Sequence, residues 1–127
     1  MSTEAGLKLD LIALPKAVPE ARRMVREYLG DATCPEVELC VAELLTNVIR
    51  HVGEGTFTTL KVTRDIDGRR TRVEVTDSEP HSWLVVRHAG TDEESGRGLF
   101  LLDALASRWG VEHRAEGKTV WCELLTR

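Results

Sequence analysis

Between Thr56 and Asp77 the chain reads Thr56-Phe-Thr-Thr-Leu60-Lys-Val-Thr-Arg-Asp65-Ile-Asp-Gly68-Arg-Arg-Thr71-Arg-Val-Glu-Val-Thr-Asp77. Thr58, Leu60 and Val62 alternate with Thr59, Lys61 and Thr63; after Asp67-Gly68, Thr71, Val73 and Val75 alternate with Arg72, Glu74 and Thr76. A period of two in branched residues reads as strand, and the Asp-Gly pair between the runs reads as a hairpin turn. Each strand then has one apolar face, which other elements must cover. Asp77 closes the second strand and leads into the irregular stretch Ser78-Glu79-Pro80-His81.

The covering elements are found on either side. Upstream, Leu7 to Leu11 alternates as a strand and Pro15 stops it. Ala17, Ala21, Met24/Val25 and Tyr28/Leu29 then recur at helical spacing, and Gly30 ends that helix. A second helix carries the stripe Val37, Val41, Leu44, Leu45, Val48 and Val52 up to Gly53. Thr33 and Glu36, with Pro35 in the first turn, predict a capping box at its start. Downstream, Leu99, Leu102 and Ala106 predict a helix after Gly96-Arg97-Gly98, closed by Gly110. Residues 111–115 and 119–125 predict a second hairpin around Glu116-Gly117. The order β-α-α-β-β-loop-α-β-β is not a regular strand–helix alternation. It predicts an α+β, two-layer sandwich, with helices on one face of a mixed, mostly antiparallel sheet.

A chain of 127 residues predicts one domain, over residues 7–127, after a flexible N-terminus at residues 1–6. The balance of 42% hydrophobic and 30% charged residues suits a globular chain and excludes a disordered one. No apolar run is long enough for a membrane span, and the start has no signal-peptide pattern. A net charge of -4 argues against a general nucleic-acid binder. Three cysteines without a C-x-x-C argue against a disulfide framework or zinc site, and Cys40 and Cys122 read as core side chains. A cytoplasmic protein is the simplest expectation.

Four constellations could carry chemistry. Glu43, Asn47 and His51 lie at i, i+4 and i+8, one polar ridge beside the apolar stripe. Glu43 could take a proton and the Asn47 oxygen could ligate a hard cation; on spacing alone a solvated helix face is the plainer reading. His51 by itself reads as a polar edge residue. Asp77 could accept a hydrogen bond from an amino group, or simply initiate a turn. Gly96-Arg97-Gly98-Leu99 opens a helix, whose free N–H groups suit a phosphate; a flexible turn is the plainer reading. Thr119, in Gly117-Lys118-Thr119, could offer a hydroxyl to a phosphate or base, or serve only as a strand residue.

Taken in order, these stretches resemble the GHKL (Bergerat-fold) ATP-binding superfamily, which includes gyrase, the histidine kinases and bacterial anti-sigma-factor serine/threonine kinases. The resemblance rests on Glu43-Leu-Leu-Thr-Asn47-Val-Ile-Arg-His51, Val73-Glu-Val-Thr-Asp77-Ser-Glu-Pro80, Gly96-Arg-Gly-Leu99-Phe-Leu-Leu102 and Gly117-Lys-Thr119. The short length and Arg108-Trp109-Gly110 most resemble the anti-sigma kinases of the actinobacterial regulator type. The resemblance implies ATP and Mg²⁺ as cofactors. By position it makes Glu43 the general base, Asn47 the Mg²⁺ ligand and Asp77 the acceptor of the adenine amino group. It puts Gly96, Gly98 and Leu99 at the phosphates and Thr119 near the adenine. His51 and Arg97, within the same motifs, join the nucleotide-binding set. Residues 81–95 match the ATP lid, and Arg22 resembles a partner-surface position. The implied partners are a sigma factor and an anti-sigma-antagonist protein, with homodimerisation. The implied function is phosphorylation of a serine or threonine of that antagonist, together with sequestration of the sigma factor. The alternatives are a catalytically weak or inactive, protein-binding switch and a small ATP hydrolase. The sequence departs from the pattern at Glu79, where the family has a glycine, and in the acidic run Asp92-Glu93-Glu94.

Overall fold

The computed structural model describes residues 6–32, 34–65, 67–78, 101–115 and 117–125. Strand β1 spans Gly6–Ile12, helix α1 Ala17–Leu29, a 3-10 turn Gly30–Ala32, and helix α2 Pro35–His51. Strands β2 (Phe57–Arg64), β3 (Arg70–Asp77), β4 (Arg108–Arg114) and β5 (Gly117–Leu125) follow. Residues 101–105 are helical.

The strands form one sheet in the order β1-β2-β3-β5-β4. All four pairings are antiparallel, so the expected parallel component of a mixed sheet does not occur among the described residues. The β2–β3 hairpin forms where the sequence predicts it. Gly68 takes a positive φ of 73°, and the Asp65 carboxylate accepts the backbone N–H groups of Arg69 at 3.0 Å and Arg70 at 3.1 Å. Those bonds hold the Asp65 carboxyl below its ordinary value, the bond from Arg70 contributing most.

Directly paired residues share a face. Leu60, Val62, Val73, Val75, Cys122 and Leu124 therefore point to one side of the sheet, where all six are buried. Helix α2 supplies the facing layer with Val37, Cys40, Val41, Leu44, Leu45 and Val48; α1 adds Ala21, Val25 and Leu29. Each fully buried valine or leucine among them contributes about 1.5–3 kcal/mol. Cys40 and Cys122 meet in this layer as fully buried thiols, as the sequence suggests. Their mutual hydrogen bond and burial push the Cys122 thiol upward from its ordinary range. Outside the core the helices are lashed by a two-pronged pair: Arg26 Nε donates to Glu38 Oε2 at 3.0 Å, and Arg26 Nη2 to Oε1 at 2.9 Å.

Two local expectations change. The N-cap of α2 is Cys34, with φ -147° and ψ 155° and no side-chain cap bond. The residue before a proline is driven to extended backbone, so Pro35 at the first helical position fixes the boundary one residue later than a Thr33 capping box requires. Thr33 itself lies outside the described residues. Gly110 does not close a helix; it sits within β4, opposite Trp121. A methyl group at position 110 would approach the Trp121 ring to 2.8 Å, so the glycine serves the indole across the sheet. The helical segment stops earlier, with Ala106 N–H bonding the Leu102 carbonyl at 2.8 Å.

Candidate functional site

One end of the helix-covered face is polar. The connection from α2 to β2 is only residues 52–56, so the C-terminal end of α2 lies where β2 begins. Antiparallel pairing brings the end of β3 and the start of β5 to that same place: Thr58 pairs with Asp77, and Asp77 with Lys118. Thr56, Thr58 and Asp77 are buried here, Asp77 to 1% exposure. Elsewhere on this face the sheet buries Leu, Val and Cys almost without exception. Burying a carboxylate is costly unless polar groups or a cation face it. Thr58 and Lys118 are the neighbours that β2 and β5 set on either side of it.

The threonines are locally committed. Thr56 Oγ donates to the Gly53 carbonyl at 2.7 Å, and Thr58 Oγ to the Thr56 carbonyl at 3.0 Å. This fixes the α2–β2 connection and leaves the hydroxyl oxygens as acceptors. Lys118 is partly buried, and burial lowers its ammonium's pKa while the charge of Asp77 pulls it back up.

Glu43, Asn47 and His51 are half-buried along one ridge of α2, flanking the buried stripe. Because α2 ends at His51, Asn47 and His51 occupy its last two turns, toward the Asp77 end, and Glu43 lies one turn further back. The structure therefore brings the predicted base, the predicted metal ligand and the predicted amino-group acceptor onto one side of the sheet. What this arrangement can do chemically is hold a planar group with an N–H edge near Asp77. It can also present a carboxylate and a carboxamide along the groove wall.

Thr119 goes elsewhere. It pairs with Thr76, and the two hydroxyls share a hydrogen bond of 2.7 Å on the face opposite Asp77. Alternation gives the reason: one residue along a strand turns a side chain to the other face. Arg22 sits over the α1–α2 seam, its guanidinium 3.6 Å from Glu38 Oε1, beside a groove of about 430 Å³ lined with Cys34, Pro35 and Leu39. Gly96, Arg97, Gly98 and Leu99, the predicted lid at 81–95, and Glu79 lie outside the described residues.

Sequence reasoning missed Thr58 and Lys118. Thr58 was legible in principle, since the Asp67-Gly68 hairpin sets it opposite Asp77, but Lys118 was not, because β3–β5 pairing joins strands that are not consecutive. No local pattern carries that register.

The order of these elements and their motifs places the chain in the histidine kinase-like ATPase class. Residues 11–124 match the histidine kinase-like ATPase domain family, and the chain belongs to it. It is 50% identical over 84 residues, 65% of this chain, to an uncharacterized protein of Streptomyces coelicolor, covering 79% of that protein. Its fold matches a crystal structure of the RsbU and RsbW domains of a Mycobacterium tuberculosis protein, at TM-score 0.67 and 21% identity. That match covers 97% of this chain and 32% of the other, so the chain spans about a third of that protein. Among the described residues, no helix is long and apolar enough to cross a membrane.

Proposed function

We propose that this chain is an ATP-binding regulator of the anti-sigma-factor type. It phosphorylates a serine or threonine of an anti-sigma-antagonist protein and sequesters a sigma factor, in the cytoplasm and as a homodimer. The observation that carries the reading is the buried Asp77, at the end of the sheet toward which the Asn47–His51 end of α2 runs. Family membership and the RsbW-like fold support it.

The residues present fit Mg·ATP. A carboxylate held at a strand end is an acceptor for the adenine amino group. Among the described residues, no three His, Cys, Asp or Glu side chains cluster as a metal cage. Mg²⁺ favours oxygen donors, and the Asn47 amide oxygen on the ridge of α2 would hold it. Bound Mg·ATP supplies the transferable γ-phosphoryl group and the cation that offsets its charge. Glu43 would take the proton from the attacking hydroxyl, Asn47 would hold the metal end, and Asp77 would accept from the amino group of the base. Gly96, Gly98 and Leu99, with Arg97, hold the phosphates, and His51 lines the pocket's edge. Arg22 presents to the partner.

The test is transfer of radiolabel from γ-labelled ATP to the purified antagonist. Labelled serine or threonine that disappears with Glu43→Gln supports the reading. ATP binding without transfer to any cognate antagonist sinks the kinase claim. Glu79, standing where the resemblance expects a glycine, favours a second reading: a protein-binding switch with weak nucleotide affinity. Sigma-factor binding unaffected by saturating ATP and by Asp77→Asn would select it.

A further inference from the structure

Across the sheet from Asp77 stands Lys118, and its position is tightly determined. Eight consecutive pairs join β3 to β5, from Arg70↔Leu125 to Asp77↔Lys118, without a bulge to shift the face. Gly117 makes the close approach possible. Its φ is 154°, and a methyl group there would collide with the Asp77 carbonyl oxygen, so only glycine lets β5 begin against the end of β3. The next residue, Lys118, is then set on the same face as Asp77, and the two charges interact.

A lysine is unusual in such a place. Its charged head ordinarily reaches for water. Here the chain is partly buried and the ammonium is desolvated, with Asp77 as the compensating charge. The two groups are chemically complementary to one kind of edge. A carboxylate only accepts, with about four lone-pair sites on its two oxygens; an ammonium only donates, with three protons. Asp77 can therefore serve both Lys118 and an amino group at once. Lys118 keeps donors for an acceptor next to that amino group. A 6-aminopurine presents this pattern, an N–H donor beside the ring nitrogen N1.

On the reading that the Asp77 end holds adenine, we propose that Lys118 is a base-reading residue, its ammonium donating to purine N1 while Asp77 accepts from the amino group. Thr119, on the opposite face, takes no part in base recognition.

The test measures calorimetric binding of Mg·ATP and Mg·1-deaza-ATP, in which N1 is replaced by C–H, to the full chain and to Lys118→Met. A lost hydrogen bond to a charged donor should weaken ATP binding about tenfold or more in the variant. Replacing N1 should weaken binding to the wild type by a similar factor. The two losses should not add, because each removes the same contact. Lys118→Gln, which keeps a neutral donor, should recover part of the ATP affinity; melting curves check that both variants fold. ATP affinity within twofold of wild type in Lys118→Met, tighter binding in that variant, or fully additive losses would each overturn the proposal. Failure of the wild type to bind ATP at millimolar concentration would overturn the adenine-site reading itself, and this inference with it. That outcome is distinct, because it appears before any variant is compared.

Discussion

The two faces of the sheet both carry charge, and they treat it differently. On the open face Arg72 bridges Glu74 at 2.6 Å and Glu123 at 3.0 Å, and its guanidinium lies 4.2 Å from the centroid of the Trp121 ring. Arg108 approaches the same ring at 5.7 Å and Glu123 at 3.6 Å. Every charge in this ladder has an opposite charge or an aromatic partner at hand. On the covered face Asp77 is buried at one end, with Thr58 paired to it and a partly buried lysine opposite, while Arg64 stands at the other end and is bonded to the Gly68 carbonyl at 2.8 Å. Saturated charge on an open face fastens neighbouring strands. A carboxylate buried at the end of an apolar layer is the kind of group that a ligand's polar edge can complete, which is the reading proposed for Asp77.

The largest effect that would sharpen this contrast is on transfer chemistry. Glu43→Gln should lower phosphotransfer by about 10²–10⁴-fold, the usual worth of a general base. ATP affinity should stay near wild type. A variant that loses affinity and transfer equally would place Glu43 in binding rather than proton removal. Next comes the apolar layer that supports the site. Leu44→Ala, at a side chain 1% exposed, should cost about 2–5 kcal/mol in denaturant unfolding. A cost below about 1 kcal/mol would mean that the layer collapses around the cavity and is not the rigid support described.

Asp77→Asn tests the polar end directly. ATP affinity should fall by roughly 10–100-fold, as expected when a charged hydrogen-bond partner is lost. An unchanged dissociation constant would remove Asp77 from the site. The matching substitution on the open face is Trp121→Ala. It should cost only about 1–2 kcal/mol of stability from lost arginine–aromatic contacts and leave ATP binding unchanged. A tenfold loss of affinity would show that the two faces are coupled.

The smallest expected effect lies at the β2–β3 turn. The depressed Asp65 carboxyl stabilises the fold when ionised. That contribution is complete above the unfolded value of 3.8 and is lost as pH falls through the lower folded-state value. Asp65→Ala should therefore lower the melting temperature slightly at pH 7, and the difference from wild type should vanish in strong acid. A difference that persists there would assign the effect to packing.

Much of this was written locally in the chain. The alternation of residues 58–63 and 71–76 specified β2 and β3, and Asp67-Gly68 the turn between them. The stripe from Val37 to Val48 specified the buried side of α2, and with it the half-buried ridge of Glu43, Asn47 and His51. Local rules also misled where two signals competed. Thr33 and Glu36 have capping-box spacing, but Pro35 sets the boundary at Cys34. Gly110 has the look of a helix stop, yet it lies inside β4, where its missing side chain makes room for Trp121 of β5.

The sequence by itself determined the strands, the helices, their apolar faces and the ordered motifs that resemble an ATP-binding domain. Those properties depend on side-chain periodicity and on residues a few positions apart. Tertiary structure alone decided which residue stands beside Asp77. That choice depends on β3 pairing with β5 about forty residues later, in one register out of several. A shift of a single residue would have put Thr119 at the site and Lys118 on the far face. The register is held by Val73 and Val75 packing in line with Cys122 and Val120, and by a glycine at 117 that allows the two strand ends to touch. It is a long-range agreement of apolar faces, which no local window of sequence contains.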